Sequence, residues 1–511
     1  MIADARLRRM VRRRPLGVDV AAALNLVASL LKYLSAAFLL PTAFALAYRE
    51  SPWPFLGAAA ITLAVALAVE RATRGHQQVG VREGFLVVSL TWLGAAAVGA
   101  LPYLLSGEDQ LAHPLDAYFE AMSGFTTTGA TVLTDIPAVP RSLLMWRQFT
   151  QWLGGMGIIV LALAVLPRLR VGGRQLFESE APGPEIEPFA ASIRDTARRL
   201  WLLYVALTAA QITILTLFAV FGVDEAMTFF DAVAHTFATM PTGGFSPQAR
   251  SLEGFAAATQ WVVVAFMALA GANFAVLYAA LVRRRTHAVT REEELRLYVV
   301  LLALGSAVVA IDIAAADIVS GEAAIRHGAF QAVSMMTTTG FASADFVTWP
   351  VLAAAVLVGL MFIGGSAGST AGSVKVVRHL MIGRILRREL DQTVHPESVE
   401  PIRLNRAVVD ERTTRAVIAF VLLYVGLFVA GTLAILVDSA VVGIAVTPFD
   451  AIAAAATTLG NVGPGFGFAG PMGSFAPFNE ASKITMIMLM WLGRLEIIPV
   501  AVLFTARYWR V

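Results

Sequence analysis

A short polar run occurs four times in this chain, each time between long apolar segments. Thr126-Thr127-Thr128-Gly129 is repeated as Thr337-Thr338-Thr339-Gly340, and looser copies stand at Thr242-Gly243-Gly244 and Asn461-Val462-Gly463. Thirteen residues before the last glycine stands an aspartate in three copies and His327 in the other. This spacing indicates four related units, each of which ends in a glycine turn.

The composition places these units in a membrane. Of 511 residues, 57% are hydrophobic and only 15% are charged, whereas soluble domains carry about 25% charged residues. The chain has no cysteine, which excludes disulfides and thiolate metal sites. It also contains no Walker motif and no H-E-x-x-H. We therefore expect a polytopic membrane protein that is not an enzyme.

The apolar segments predict the architecture, because a membrane-spanning helix needs about 20 apolar residues. Candidate spans are 20–47, 53–69, 84–105, 143–166, 200–222, 258–282, 298–319, 350–377, 417–437 and 484–506. Shorter segments, with the length of re-entrant elements, are 116–129, 230–244, 327–340 and 449–463. The predicted fold is an all-α polytopic membrane protein with four span–pore-loop–span repeats, pseudo-fourfold symmetry and two extra N-terminal transmembrane helices. The predicted regions are 1–75 for the two extra helices and 76–175, 176–286, 287–390 and 391–511 for the four pore repeats.

The distribution of basic residues predicts the orientation of the chain. If the Arg-rich N-terminus is cytoplasmic, most of the 39 Lys and Arg residues fall in inner segments. All four re-entrant segments then enter from the outer side and can converge on one axis. The inner loops 168–199 and 387–415 are long enough to dock a partner, although each is equally well explained as a tolerated linker.

The four polar turns predict a ring of backbone oxygens. Irregular backbone at membrane depth is tolerated where it lines a watery cavity, and rings of carbonyls replace the hydration shell of monovalent cations. The helix before each turn would aim its negative C-terminal end at the axis. For a single copy, a turn that only reverses the chain is an equally good interpretation; four matching copies favour the ring. The predicted K⁺-binding filter residues are Thr127, Thr128, Gly129, Thr242, Gly243, Gly244, Thr338, Thr339, Gly340, Asn461, Val462 and Gly463.

Asp116, Asp231 and Asp450 stand where the re-entrant helices are expected to begin. Aspartate is a favoured N-cap because its side chain accepts the unpaired N–H groups of the first turn. The same carboxylates have a second interpretation, as an outer ring that attracts cations. His327 would take the capping position in the third repeat.

A run of ten small residues, 364–373, interrupts the predicted span 350–377. Small residues permit close helix packing, but a run of this length favours a broken helix, and hence a movable gate below the ring. Gly154-Gly155-Met156-Gly157 is a shorter run of the same kind in the first repeat. Arg494 lies inside the last span, where a charge is costly; it either lines the pore as an electrostatic barrier or pairs with a buried carboxylate. The predicted gate residues are Gly364, Gly365, Ser366, Gly368, Gly372, Lys375 and Arg494.

Three parts of the first repeat are similar to a known family. They are Arg82-Glu83-Gly84-Phe85-Leu86 with Gly99-Ala100-Leu101-Pro102-Tyr103, the stretch 119–131 around the first turn, and Gln151-Trp152-Leu153-Gly154-Gly155-Met156-Gly157-Ile158. These segments resemble the opening helix, pore loop and closing helix of the membrane subunits of Trk-type potassium uptake systems, in the Trk/Ktr/HKT superfamily. The two extra N-terminal spans fit the TrkH/TrkG-type branch.

The resemblance implies K⁺ as the transported ion and one filter glycine per repeat, at Gly129, Gly244, Gly340 and Gly463. It implies a gating loop at 364–373 and a pore arginine at Arg494. It further implies a homodimer in the bacterial inner membrane and a cytosolic, TrkA-like regulatory subunit. NAD or ATP would bind to that subunit, and this chain would carry no covalently bound cofactor.

The expected function is therefore K⁺ uptake through a gated pore. Discrimination against Na⁺ should be modest, because one glycine turn per repeat offers few stacked sites. A symporter coupled to Na⁺ or H⁺ and a Na⁺-permeable cation channel remain alternatives. A membrane-embedded enzyme or sensor belongs to a different class and would need acidic or histidine side chains deep in the spans.

Overall fold

A computed structural model describes residues 17–75, 80–164, 193–284, 287, 291–398 and 400–510. Most of this part of the chain is helical, and a small hairpin pairs the two-residue strands Arg403–Leu404 and Ala407–Val408. The basic N-terminal residues 1–16, most of the predicted inner loop 168–199, and the predicted boundaries at 175 and 286 fall outside the described residues. Residue 390, the predicted end of the third repeat, lies inside a helix, and the boundaries stay predictions.

Two membrane-spanning helical segments precede the repeats, as predicted. Lys32 in the first and Glu70 in the second form an ion pair of 2.6 Å, so neither charge is buried alone among apolar side chains. The helix bounds are Val20–Leu34, a 3₁₀ turn Ser35–Phe38, Leu39–Ala47 and Trp53–Ala72.

Each repeat contains an opening helix, a re-entrant helix and a closing helix, in that order. The opening helices are Val81–Ser106, Ile193–Val220, Glu293–Ala315 and Glu411–Val442. The re-entrant helices are Pro114–Phe125, Phe229–Thr239, Gly321–Met336 and Pro448–Gly460. The closing helices are Arg141–Ala164, Ala257–Ala270 with Phe274–Leu281, Val351–Ile363 with Val376–Val394, and Glu480–Arg494 with Ile498–Ala501. The remaining 3₁₀ and short helices are Asp109–Leu111, Phe346–Thr348, Gly467–Ala469, Val502–Phe504 and Ala506–Trp509.

The four closing helices differ in continuity. The first is unbroken, whereas the second and fourth bend by 109° and 113°. The third is interrupted by a non-helical segment, residues 364–375, which we call the central loop. The predicted break at 364–373 is thus confirmed as a feature of the backbone.

Two predicted continuous spans, 258–282 and 484–506, are wrong in this respect. In the second repeat the side chain of Asn273 accepts hydrogen bonds from Ala275 N and Val276 N, at 2.8 and 3.3 Å, and so starts a new helix after the break. In the fourth repeat Glu496 and Ile497 both have a φ of 58°, which no helix can continue. Apolar composition alone does not register such breaks.

The described helices are those of a multi-pass membrane protein. Six of them are long and apolar enough to cross a membrane, and the two bent pairs raise this number to eight. Val351–Ile363 is a shorter apolar helix that ends at the central loop.

A carboxylate near the end of each opening helix caps the start of the closing helix in the last three repeats. The capped N–H groups are Ala256 by Asp224 (2.8 Å), Ala353 by Asp312 (2.8 Å) and Ser482 by Asp438 (3.0 Å). In the first repeat the capping carboxylate is Glu50, which lies between the two extra N-terminal helices. It accepts from Arg141 N and Ser142 N, both at 2.8 Å. The two extra helices therefore complete the capping of the first repeat.

Candidate functional site

The four predicted turns share one backbone conformation. The first residue of each turn is left-handed, with φ of 52° at Thr127, 55° at Thr242, 56° at Thr338 and 54° at Asn461. The third residue is a glycine with positive φ: 83° at Gly129, 79° at Gly244, 81° at Gly340 and 105° at Gly463. A left-handed β-branched residue is a conformational outlier that costs about 1–3 kcal/mol. Three threonines therefore hold strain at the same place in three repeats.

Two backbone hydrogen bonds close each turn onto its re-entrant helix in a Schellman arrangement. In every repeat the N–H of the second turn residue donates to the carbonyl five residues earlier. These bonds are Thr128 to Ser123 (2.8 Å), Gly243 to Ala238 (2.8 Å), Thr339 to Ser334 (2.9 Å) and Val462 to Thr457 (2.9 Å). Pro241 lacks the N–H that its counterpart Thr126 donates to Met122 O, yet the second turn closes in the same way.

The turns meet around one axis. The Cα of each turn glycine faces the carbonyl oxygen of the second residue of the next turn, so closely that an added Cβ would collide with it. The contacts are Gly129 with Gly243 O, Gly244 with Thr339 O, Gly340 with Val462 O, and Gly463 with Thr128 O. These contacts join repeat 1 to repeat 2, repeat 2 to repeat 3, repeat 3 to repeat 4, and repeat 4 to repeat 1, so the four turns form a closed ring.

This ring has the chemistry of a cation site. It brings backbone oxygens from four repeats together at the C-terminal ends of four helices, where the helix dipole is negative. The turn side chains at Thr127, Thr128, Thr338, Thr339 and Asn461 are buried. Such sites suit a monovalent cation that has lost its hydration shell.

A buried ion pair that the sequence did not reveal supports the first turn. Arg147 on the closing helix donates through Nε to Glu120 on the re-entrant helix, and through Nη1 to Ser246 O at 3.0 Å. Its guanidinium also lies 3.7 Å from the centroid of the Phe245 ring. Glu120 in turn accepts from Thr131 Oγ1 at 2.9 Å. One ion pair thus connects two helices of repeat 1 to the chain that leaves the second turn.

The second repeat has a neutral counterpart of this contact. Glu120 precedes Thr128 by eight residues and its partner Thr131 follows by three; His235 and Ser246 stand at the same distances from Gly243. His235 Nε2 lies 3.0 Å from Ser246 Oγ. The pseudo-symmetry therefore extends to side chains that hold the turns, although the residue types differ.

Two amide side chains connect neighbouring repeats at the ring. Gln151 on the first closing helix donates to Gly243 O at 2.5 Å and accepts from Phe245 N at 3.1 Å. Asn461 donates to Thr128 Oγ1 at 2.9 Å. The sequence predicted that Asn461 contributes its backbone to the ring, but it did not predict this side-chain contact. It also did not predict the role of Gln151, although a polar residue within an apolar helix could have indicated it.

The expectation that Asp116, Asp231 and Asp450 are N-caps is wrong by three residues. Thr228 and Thr447 are the N-caps of the second and fourth re-entrant helices, and Asp231 and Asp450 close capping boxes with them. In a capping box the carboxylate stands at the third helical position and accepts from the N-cap backbone N–H. The prediction considered only an aspartate at the N-cap itself.

The first and third repeats depart from this pattern. Asp116 stands in the first turn of its helix and pairs with Lys483 Nζ at 2.6 Å. His327 caps nothing, because its helix begins earlier, at Gly321 after the N-cap position Ser320. Its Nδ1 instead lies 2.9 Å from Ser343 Oγ.

The central loop lies directly against the ring on the side of the closing-helix breaks. Gly372 N donates to Thr338 Oγ1 at 2.8 Å, and Thr370 Oγ1 donates to Met240 O at 3.1 Å. A Cβ at Gly372 would also collide with Gly460 O. One segment thus contacts the turns of the second, third and fourth repeats.

The other predicted gate residues hold this loop in place. Gly364 and Gly368 have positive φ of 78° and 71°, and Ser366 N donates to Gly271 O at 2.8 Å. A Cβ at Gly365 would crowd Ala371. The glycines therefore allow a compact path that larger residues would not fit.

Arg494 contacts the central loop from the fourth repeat. Its Nη1 donates to Thr370 O at 2.8 Å, while Nε and Nη2 are buried and have no hydrogen-bond partner within the described chain. The described residues also give it no carboxylate in ion-pair contact, so the alternative of a structural ion pair is not what is observed.

The glycines of the first closing helix do not break the helix, unlike those of the central loop. The helix Arg141–Ala164 is continuous through Gly154 and Gly155. A Cβ at Gly154 would collide with Phe125 O, and one at Gly155 would collide with Pro241. This shorter run therefore serves close packing against two re-entrant segments.

Together these features define a membrane protein in which four re-entrant turns form a closed ring of backbone oxygens above a central loop. The chain belongs to the TrkH family: the family model, described as "Cation transport protein", matches residues 54–511.

Similar proteins agree with this membership over nearly the whole chain. The Trk system potassium uptake protein TrkH of Escherichia coli K12 is 37% identical over 496 residues, which cover 95% of this chain and 98% of that protein. The Trk system potassium uptake protein TrkG of the same strain is 34% identical over 436 residues, covering 85% and 86%. The crystal structure of the potassium transporter TrkH from Vibrio parahaemolyticus superposes with a TM-score of 0.85 at 32% identity, covering 96% of this chain and all of that one.

Replacing Gly340 by alanine should disrupt the ring. A φ of 81° is unfavourable for alanine, and its Cβ would collide with Val462 O, so we expect a loss of more than about 1 kcal/mol and a lower Tm of the purified protein. Gly383→Ala is the matched control, because a Cβ there meets nothing within 4 Å and alanine favours the helix. Equal Tm values for the two variants would contradict the ring contacts.

The Glu120–Arg147 pair yields a second prediction. Glu120→Gln leaves a buried guanidinium without its counter-charge, for which we expect a loss of about 3–5 kcal/mol in unfolding free energy. Adding Arg147→Met removes the stranded charge and should recover part of that loss. Glu253→Gln, which breaks an exposed pair with Arg250, should change stability by under about 1 kcal/mol. A double variant no more stable than Glu120→Gln would refute the stranded-charge explanation.

Proposed function

We propose that this protein mediates K⁺ uptake across the bacterial inner membrane through a channel-like pore whose filter is the ring of four turns. The observation that carries the proposal is the closed cycle of glycine–carbonyl contacts, which assembles backbone oxygens from all four repeats at one place. The names of the relatives, which are potassium uptake proteins, supply the choice of ion.

In this proposal, K⁺ approaches from the outer side and exchanges its water for carbonyl oxygens of Thr128, Gly243, Thr339 and Val462 and of their neighbours in each turn. The negative ends of the re-entrant helices favour a cation over an anion. The strained threonines are kept left-handed by the ring, so the oxygens are positioned before the ion arrives.

The central loop and Arg494 act as the gate. The loop crosses beneath the ring and touches three of its four turns, and the buried guanidinium beside it adds an electrostatic barrier to a cation. Conduction then requires the loop to move away from Thr338, Met240 and Gly460.

The surroundings of the pore follow from the basic-residue distribution and from membership of the family. We propose a cytoplasmic N-terminus, a homodimer, and a cytosolic TrkA-like regulatory subunit that binds NAD or ATP. The relatives are named as parts of a Trk system, which supports further components. The chain itself acts as a transport protein without a covalently bound cofactor.

Flux of ⁸⁶Rb⁺ into liposomes and rescue of a K⁺-uptake-deficient bacterial strain test this function. The wild type should pass ⁸⁶Rb⁺ and rescue growth at low K⁺. Gly340→Ser should lower the flux or its K⁺/Na⁺ selectivity at least about tenfold, because the serine side chain enters the ring, whereas Gly383→Ser should behave as the wild type.

Ion gradients separate the mechanisms in the same assay. Uptake that ignores imposed Na⁺ and pH gradients excludes coupling and agrees with a channel-like pore. Accumulation driven by a Na⁺ or H⁺ gradient would replace this proposal by a symporter. Gly340→Ser with unchanged flux and selectivity would remove the ring as the filter.

A further inference from the structure

A group of charges joins the central loop to the fourth repeat, away from the ring. Glu496 lies two residues beyond Arg494 and accepts from Lys375 Nζ at 3.0 Å and from Arg378 Nη2 at 2.6 Å. Lys375 is the last residue of the central loop, and Arg378 lies in the first turn of the following helix. The side chains of Lys375, Arg378 and Glu496 are 10%, 12% and 24% exposed, so water screens these contacts little.

The backbone on both sides of this contact is strained. Ser373 and Lys375 have φ of 61° and 76°, while Glu496 and Ile497 have φ of 58°. Each is a non-glycine residue in the left-handed region, and Ile497 is β-branched, which makes it a strong outlier. Such strain persists where surrounding contacts hold it, and the Glu496 carboxylate is the charged contact that bridges the two strained segments.

Two other contacts of the loop stay within the third repeat. Glu294 accepts from Ala367 N at 2.7 Å and from Val377 N at 3.2 Å, but it stands on the opening helix of the same repeat. The bond from Gly372 to Thr338 is also internal to the third repeat. Glu496 connects the loop and its following helix to the fourth repeat, as Arg494 does through Thr370 O. The bonds of Glu496 must therefore break when this end of the loop moves relative to the fourth repeat.

The position of Arg378 reinforces this attachment. Its guanidinium lies 3.9 Å from the centroid of the Phe420 ring on the fourth opening helix, and its Nη1 donates to Val374 O at 3.0 Å within the loop. The arginine is thus held by an aromatic face and a carboxylate of the fourth repeat while it holds the loop. Charge-assisted bonds of this kind are about twice as strong as neutral ones.

We propose that Glu496 is a latch that keeps the central loop closed beneath the ring, by binding Lys375 and Arg378 in the closed state and releasing them on opening. Glu496 is a positioning residue: it acts on the ion through the loop. The inference rests on the proposed gating role of the loop and adds the contact that sets how readily the loop opens.

The test is ⁸⁶Rb⁺ flux through the full-length protein in liposomes without any partner. Glu496→Gln should raise the basal flux at least about threefold, because the closed state loses its charged attachment. Arg378→Gln should raise the flux as well, and the Glu496→Gln, Arg378→Gln double variant should show less than the product of the single effects, since both remove one contact. In the Arg378→Gln background, where no guanidinium faces position 496, exchanging the charges in Lys375→Glu, Glu496→Lys should return the flux toward that of Arg378→Gln alone.

Glu411→Gln is the matched control. Glu411, on the fourth opening helix, forms an ion pair with Arg388, which lies on the same helix as Arg378. This pair does not touch the central loop, so we expect the flux of the Glu411→Gln variant to equal that of the wild type.

Three results would overturn the latch. Wild-type flux in Glu496→Gln at wild-type Tm would show that the contact does not hold the gate. Reduced flux that the charge exchange does not restore would assign Glu496 to the conducting state. If Glu496→Gln does not fold, wild-type flux in Arg378→Gln decides against the latch. Gly340→Ser separates this failure from failure of the function: if it alters flux while the Glu496 and Arg378 variants do not, the filter stands and the latch falls.

Discussion

The contact on which the rest of the structure depends is that between a turn glycine and the carbonyl oxygen of the next repeat. At Gly129, Gly244, Gly340 and Gly463 the approach leaves no room for a Cβ, and the positive φ independently favours glycine. Because the contacts form a cycle, no turn is stable in this position without its neighbours. This explains how threonines can be held in a conformation that they would avoid in isolation.

The other features of the site keep this cycle in place or lie directly against it. The Glu120–Arg147 pair, Gln151 and Asn461 connect the first, second and fourth turns to adjacent elements. Glu50, between the two extra helices, caps the closing helix of the first repeat, as a carboxylate of the repeat itself does in the other three. The closing helices of repeats 2 to 4 are broken, and the central loop, which is the break in the third, lies against the ring. A supported ring with a loop packed against it is the arrangement on which the proposed gated ion pathway rests.

The repeats, the four turns and the central loop could be predicted from the sequence, because each depends on local composition. Thr-Gly runs, apolar lengths and ten small residues in succession are visible without knowledge of the fold. The bends at 271–273 and 495–497 were missed, since they depend on one capping side chain and on two left-handed residues. The partners of Glu120 and Glu496 lie 27 and 121 residues away in the chain, and no periodicity reports such contacts. The N-caps were predicted three residues too late, because Asp231 and Asp450 are the third helical residues of capping boxes. A threonine three residues earlier is the N-cap in both helices.

The central claim of the proposal is that four turns, three of them strained at a threonine, form one ring that binds a dehydrated monovalent cation. Anomalous diffraction from crystals of this protein grown in Rb⁺ or Tl⁺ tests it most directly. The account predicts a peak on the axis enclosed by the carbonyl oxygens of Thr128, Gly243, Thr339 and Val462, which K⁺ in excess abolishes. Well-ordered turns without a peak, or a peak held by carboxylates elsewhere in the protein, would contradict it.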